Sequence, residues 1–197
     1  MTIYFILVAA SYLSGSIPTA YLLGRGFKGI DIREHGSGNC GATNVFRVIG
    51  KGAGILALFL DTLKGLIPVF FTLRFFPGHL ILAVVVGLAA ILGHNWTCFL
   101  KFKGGKGVAT SCGVFLALIP IPTLIAMGFF LIGFIWTHHV SVGSLLGSAS
   151  LPLSAYFFKE PKILIYFTCG CVLLIFILHK KNIERIIKGE ESKINLK

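Results

Sequence analysis

The sequence predicts an all-α, polytopic membrane protein with seven transmembrane helices, its N-terminus outside and its C-terminus cytoplasmic. Three observations carry this expectation. The 197 residues are 55% hydrophobic and only 13% charged, with a mean hydropathy of +0.88. That is more apolar surface than a small soluble fold can hide. The apolar runs are long and do not alternate, which selects helices over barrel strands, the two structures that satisfy the backbone inside a bilayer. The basic residues lie between these runs and are unevenly shared by the two sides, as the positive-inside rule requires.

Taken in order, the clear spans are Ile3–Gly24, Gly52–Phe76, His79–Leu100, Val140–Phe158 and Ile163–Leu178. Each is close to the roughly 20 residues needed to cross the hydrocarbon. Met1 to Ala10 carry no basic stretch, so the first run reads as a retained span rather than a cleaved signal. Val108–Thr137 is 30 residues long, and as one helix it would reach about 45 Å through a core about 30 Å thick. Pro120-Ile121-Pro122 in its middle predicts a break and two short spans. With seven spans, 14 basic residues from Arg25–Lys51, Lys101–Lys106 and Lys180–Lys197 fall on one side, and Arg74, Lys159 and Lys162 fall on the other. With six spans the ratio drops to 10 against 7, so charge favours seven. The chain reads as a single membrane domain, residues 1–197, without a soluble portion.

Composition also narrows the chemistry. The acids are Asp31, Glu34, Asp61, Glu160, Glu184, Glu190 and Glu191. They form no DxxD-like cluster, so a carboxylate-held metal pair is not expected, and neither is a cofactor. Cys40, Cys98, Cys112, Cys169 and Cys171 give neither a disulfide framework nor a zinc spacing. Nucleic acid is not an expected partner, because the 18 basic residues are scattered between apolar spans rather than gathered on a patch.

Three polar clusters remain, all on the cytoplasmic side in the seven-span arrangement. The first is Gly36-Ser37-Gly38-Asn39-Cys40-Gly41-Ala42-Thr43-Asn44, followed by Arg47. Its glycines allow backbone amides to converge on an anion, Ser37, Asn39, Thr43 and Asn44 add neutral donors, and Arg47 adds a cationic fork. A flexible turn is an equal reading of the glycines and asparagines alone. The second is Lys103-Gly104-Gly105-Lys106-Gly107 before Val108-Ala109-Thr110. A glycine turn and a lysine at a helix N-terminus suit a phosphate, although the Walker A spacing is absent and a membrane anchor would also explain the lysines. The third is His179-Lys180-Lys181-Asn182-Ile183-Glu184-Arg185, with His179 and Asn182 three apart and hence on one helix face. Asp61 and Lys64 share that spacing inside a span and read as a structural ion pair. His94, which precedes Asn95 and Trp96, and His79 read as interfacial anchors. The short Ser141-Val142-Gly143-Ser144 turn could join the same pocket.

The motif Gly36-Ser37-Gly38-Asn39-x-Gly41-Ala42-Thr43-Asn44 with Arg47 resembles the first signature of the bacterial acyl-phosphate:glycerol-3-phosphate acyltransferases. Gly104-Gly105-Lys106-Gly107-Val108-Ala109-Thr110 is similar to their second, and His179-x-x-Asn182-Ile183-x-Arg185 to their third. The resemblance runs from about residue 10 to residue 188. It implies a seven-helix enzyme of the bacterial inner membrane with a cytoplasmic active site. Such an enzyme transfers a fatty acyl group from acyl phosphate to the sn-1 hydroxyl of glycerol 3-phosphate, giving lysophosphatidic acid and phosphate. By motif, Ser37, Arg47, Lys106, His179 and Asn182 would hold glycerol 3-phosphate. Thr43, Gly105 and Ser144 would hold the donor phosphate, with Asn39, Gly41 and Asn44 completing the binding loop. Cys40 stands at the variable position, which argues against a catalytic thiol. A soluble phosphate acyltransferase that supplies acyl phosphate is an implied partner besides the bilayer. The rival readings are an organophosphate transporter, which the lack of internal repeats disfavours, and a metal-dependent phosphatidyltransferase, which the missing acidic cluster disfavours.

Overall fold

The computed structural model describes residues 1–194, and every regular element among them is helical. Lys197, counted above with the basic tail, lies outside the described residues. The chain divides into two compact units, Met1–Leu118 and the part from Ile119 onward.

The first unit contains α1 (Thr2–Ser16), α2 (Thr19–Lys28), α3 (Ala42–Val48), α4 (Lys51–Phe75), α5 (Leu80–Asn95) and α6 (Val108–Leu118). The expected first span is present as one stretch, Thr2–Lys28, but its helix is interrupted: Pro18 lacks a backbone donor, and Ile17 before it takes φ −55, ψ 115, outside the helical region, as a residue preceding proline prefers. Pro68, by contrast, stays inside α4. The third expected span is present as Leu80–Leu100, but its helix α5 stops at Asn95 and the chain then turns through Cys98–Leu100. The Thr97 hydroxyl holds that turn in place by donating to the Ser16 carbonyl at 2.5 Å and accepting from Phe99 N at 3.2 Å.

Glycine allows the main helix pairs of this unit, α1 with α5 and α4 with α6, to touch backbone to backbone. A β-carbon on Gly15 would strike the Ala90 main chain, and one on Gly93 the Tyr12 carbonyl. Gly65 and Gly113 stand likewise against the Thr110 and Thr62 carbonyls. This is the packing expected where lipid removes the hydrophobic drive between helices and close van der Waals contact replaces it.

The second unit contains α7 (Pro120–Thr137), α8 (Val140–Phe157), α9 (Lys162–Leu178) and α10 (Lys180–Ile187). The break expected at Pro120-Ile121-Pro122 is present: α6 ends at Leu118 and Pro120 opens α7, a position that wastes no hydrogen bond. His138 closes α7 in the left-handed region at φ 59. At His179 the axis bends by 59° between α9 and α10.

Phe5, Phe59, Phe71, Trp136, Phe157 and Leu173 are all exposed, an apolar exterior that suits lipid. Five stretches among the described residues are long and apolar enough to cross a membrane: Thr2–Lys28, Lys51–Phe75, Leu80–Leu100, Pro120–Thr137 and Val140–Phe157. The bent α9–α10 pair makes a sixth, and α6 is a shorter apolar helix.

Candidate active site

The first glycine-rich segment folds as a clamped loop rather than a slack turn. Asp31 starts it by accepting from Arg33 at the backbone N (3.0 Å), Nε (2.9 Å) and Nη2 (2.6 Å). The Arg33 hydrogen bond lowers the Asp31 carboxyl to about 2, so both partners stay charged. Gly36 takes φ +61 and passes so close to Asn44 that a β-carbon would meet its amide oxygen. Asn44 is fully buried; its Nδ2 donates to the Ile32 and His35 carbonyls, each at 3.0 Å, and its Oδ1 accepts from Ser37 N at 2.9 Å. Expected as one of the substrate donors, Asn44 uses these groups to close the loop instead. The clamp leaves Ser37 exposed and Asn39 half-buried at its tip. Gly41 caps α3, which carries Thr43 and Arg47 one helical turn apart on one face. Beneath the loop, Ala20, Ile32, Cys40, Val45, Ala57 and Leu100 form a buried apolar cluster. Burial pushes the Cys40 thiol up to about 11, which leaves it a poor nucleophile at neutral pH.

The second glycine cluster docks on the end of α5. Gly105 N donates to the His94 carbonyl at 3.0 Å, and Gly104 N to the Asn95 carbonyl at 3.1 Å. Gly107, at φ +77, passes the Asn95 side chain and leads straight into α6. The turn thus points at a helix N-terminus, where amide dipoles favour an anion, and Lys106 sits between the two. The first and second clusters meet here: a β-carbon on Gly105 would lie 3.1 Å from the Cys40 carbonyl.

Alongside them an apolar groove of about 310 Å³ is lined by Ile17, Leu22, Leu23, Leu60, Leu63 and Ile67, with Lys64 and Thr19 at its polar end. Exposed Ile17, Leu22 and Ile67 form its rim. Lys64, Ile17 and Thr19 also line the small cavity under Gly104 and Gly105, so groove and glycine turn are neighbours.

In the second unit, His179 and Asn182 lie at the bend, and both are buried. His179 Nδ1 donates to the Ile175 carbonyl at 2.8 Å, which fixes the tautomer and directs Nε2 away from the helix. Asn182 Nδ2 donates to Glu191 Oε1 at 2.6 Å, Ser141 Oγ donates to the same oxygen at 2.8 Å, and Arg185 Nε donates to Oε2 at 2.7 Å. Burial pushes the Glu191 carboxyl up, but the hydrogen bonds from Arg185, Asn182 and Ser141 outweigh it and hold the group below its ordinary value. Ser144 is buried one turn further along α8.

The profile of the family described as glycerol-3-phosphate acyltransferase matches residues 5–189 of this chain. The chain belongs to that family. It is 46% identical to the glycerol-3-phosphate acyltransferase of Endomicrobium trichonymphae, over 100% of this chain and 98% of the relative. It is also 46% identical to that of Trichlorobacter lovleyi, over 94% and 95%. The crystal structure of PlsY, an integral membrane glycerol 3-phosphate acyltransferase, in its glycerol 3-phosphate form superposes with a TM-score of 0.93 at 38% identity, covering 98% of this chain and 96% of that one. The lysophosphatidic acid form gives 0.90 at 37% identity, covering 98% of this chain and 95% of that one.

The fold of this acyltransferase brings Ser37, Asn39, Gly41, Thr43, Arg47, Gly105 and Lys106 into the first unit, and Ser144, His179 and Asn182 into the second. Two residues near the site were not singled out for it from the sequence. His94, read as an anchor, underlies Gly105. In the sequence Glu191 is one acid among seven, and its neighbours give no hint that it binds Asn182.

Proposed function

We propose that this acyltransferase uses acyl phosphate as donor and the sn-1 hydroxyl of glycerol 3-phosphate as acceptor, forming lysophosphatidic acid and inorganic phosphate at the start of bacterial phospholipid synthesis. The meeting of the two glycine clusters at Cys40 and Gly105 carries this reading. It provides backbone amides, a helix N-terminus, Lys106 and Arg47 for phosphoryl groups, next to an apolar groove suited to an acyl chain. Ser37, Arg47, Lys106, His179 and Asn182 hold glycerol 3-phosphate, Thr43, Gly105 and Ser144 hold the donor phosphate, and Asn39, Gly41 and Asn44 shape the loop. The chain acts as one membrane domain in the bacterial inner membrane. It crosses seven times, through α1–α2, α4, α5, α6, α7, α8 and α9, with the N-terminus outside and the C-terminus and active site on the cytoplasmic side. A soluble phosphate acyltransferase delivers the donor.

An acyl phosphate is a mixed anhydride, so positioning and charge stabilisation suffice and no covalent enzyme intermediate is required. The glycerol hydroxyl oxygen attacks the acyl carbon, the new ester C–O bond forms, and the anhydride C–O bond to phosphate breaks. The hydroxyl proton passes to a phosphate oxygen of the substrate and leaves as hydrogen phosphate. His179, oriented through Nδ1, binds and aligns the acceptor.

The test uses purified protein in detergent with glycerol 3-phosphate and palmitoyl phosphate, following phosphate release, and palmitoyl-CoA in a parallel sample. Phosphate released only with both substrates, with lysophosphatidate formed and no product from the thioester, is the expected result. If monodisperse protein uses neither donor, the proposal fails, and phosphate flux in sealed vesicles is the next measurement.

A further inference from the structure

Asp61, Lys64 and His94 make a charged cluster inside the apolar first unit. Asp61 is 1% exposed, and Lys64 and His94 are 8% each. Lys64 Nζ lies 2.7 Å from Asp61 Oδ1 and donates to the Ile17 carbonyl at 2.6 Å. His94 Nδ1 approaches the same Asp61 oxygen at 3.8 Å. Charges at such a position are costly and are retained where they serve a purpose. An ion pair that merely neutralised α4 would be complete with Asp61 and Lys64; His94 extends the cluster to a second element.

The far side of His94 is the glycine turn. Its carbonyl holds the Gly105 N–H, and its imidazole Nε2 is the atom nearest to where a Gly105 β-carbon would be. One residue therefore contacts the turn twice and contacts Asp61 with its other ring nitrogen. The cavity left among Ser16, Lys64, His94, Thr97, Gly104 and Gly105 is only about 10 Å³, no more than a single water requires. The cluster is a wall, not a ligand pocket.

We propose that Asp61, Lys64 and His94 form the support that fixes the Gly104–Gly107 turn, and that His94 is a positioning residue for phosphate capture by that turn. This rests on the reading of the turn as a phosphate site given above. The chain of contacts runs from the α1–α2 break to the site: the Ile17 carbonyl anchors Lys64, Lys64 holds Asp61, Asp61 faces the imidazole, and the imidazole backs Gly105. His94 touches no reacting atom.

The test is His94→Asn in purified full-length protein, which keeps a polar atom toward Asp61 and removes the ring edge at Gly105. The KM for palmitoyl phosphate rises about tenfold while kcat changes less than about threefold, the split produced by losing binding common to ground and transition states. Gly105→Ala lowers kcat/KM in wild type, because its β-carbon meets the imidazole. It costs at least about fivefold less in the His94→Asn background, since contacting residues couple. Amide exchange over residues 103–107, followed without substrate by mass spectrometry, is faster in His94→Asn and unchanged through α1. Unchanged KM, additive effects and unchanged exchange in monodisperse variant protein would overturn the proposal. Where His94→Asn does not fold, the charge-free pair Asp61→Asn/Lys64→Met takes the same kinetic and exchange measurements, with the same outcomes deciding. Exchange needs no turnover, so a wild type inactive toward acyl phosphate would refute the functional reading while the support is still judged.

Discussion

Asn182 and Glu191 are joined by a 2.6 Å hydrogen bond from the amide of one to the carboxylate of the other. The residue of the third signature is thus held by the segment that follows α10. Ser141 and Arg185 share the carboxylate, and the same segment returns to α7 and α8 through the Glu191 carbonyl, which accepts from His139 Nε2, and through Ile194 N, which donates to the His138 carbonyl.

Glu191→Ala is therefore expected to loosen α10 and the start of α8 together. Hydrogen bonds to a charged group contribute about 1.5–3 kcal/mol each, so thermal unfolding in detergent should shift down by several degrees and activity should fall with it. The pH sign follows from the lowered carboxyl of Glu191. Its contribution is complete above the unfolded carboxylate value near 4.3 and is lost as pH falls through its lower folded value. Asp31, lowered to about 2, behaves alike over a range ending near pH 2. Acid unfolding of Glu191→Gln should begin with this step already missing; an unchanged acid limb would contradict the arrangement.

Arg47→Lys keeps a cation on α3 but loses the two-pronged donor. The KM for glycerol 3-phosphate should rise at least about tenfold, as expected for loss of a bidentate charge-assisted contact. A steady-state titration of glycerol 3-phosphate at saturating donor checks this, and an unchanged KM would remove Arg47 from the phosphate.

His179→Gln separates orientation from base catalysis. With a substrate phosphate accepting the proton, the pH–rate profile keeps its shape at lower amplitude. Disappearance of a limb near neutral pH would make His179 the base.

Leu63→Trp narrows the apolar groove. The preference among acyl phosphates should move toward shorter chains, with kcat/KM for palmitoyl phosphate falling about tenfold or more and that for a shorter donor falling less, since a few methylenes carry a few kcal/mol. Equal losses for all chain lengths would place the chain elsewhere.

Gly36→Ala combines a left-handed backbone with a clash against Asn44. It should cost about 1–3 kcal/mol and reduce turnover with both substrates alike, because it disturbs the loop closure and not a single ligand. Thermal unfolding with parallel kinetics provides the check.

The helices were legible because apolar run length and proline position are local signals; the break before Pro120 follows from them. The early end of α5 was not, since Thr97 turns the chain by reaching Ser16, 81 residues away. Asn44 could be recognised as a loop amide, but its consumption by Ile32, His35 and Ser37 becomes visible only when the loop closes. The signatures name polar side chains, whereas the contacts of His94 with Gly105 and of Glu191 with Ser141 and Asn182 form only when separate segments come together.

The shortness of α6 has a consequence for supply. Its 11 residues cover about 16 Å, roughly half of a hydrocarbon layer. Thr110 in its first turn lies against Gly65, about 21 Å along α4 from Lys51 at 1.5 Å per residue. The glycine turn is therefore sunk well below the level at which α4 begins. On the proposed function, a water-borne acceptor would be drawn down to that turn and stripped of much of its hydration, while an acyl tail would arrive sideways from the lipid, so that the two reactants would converge along perpendicular routes.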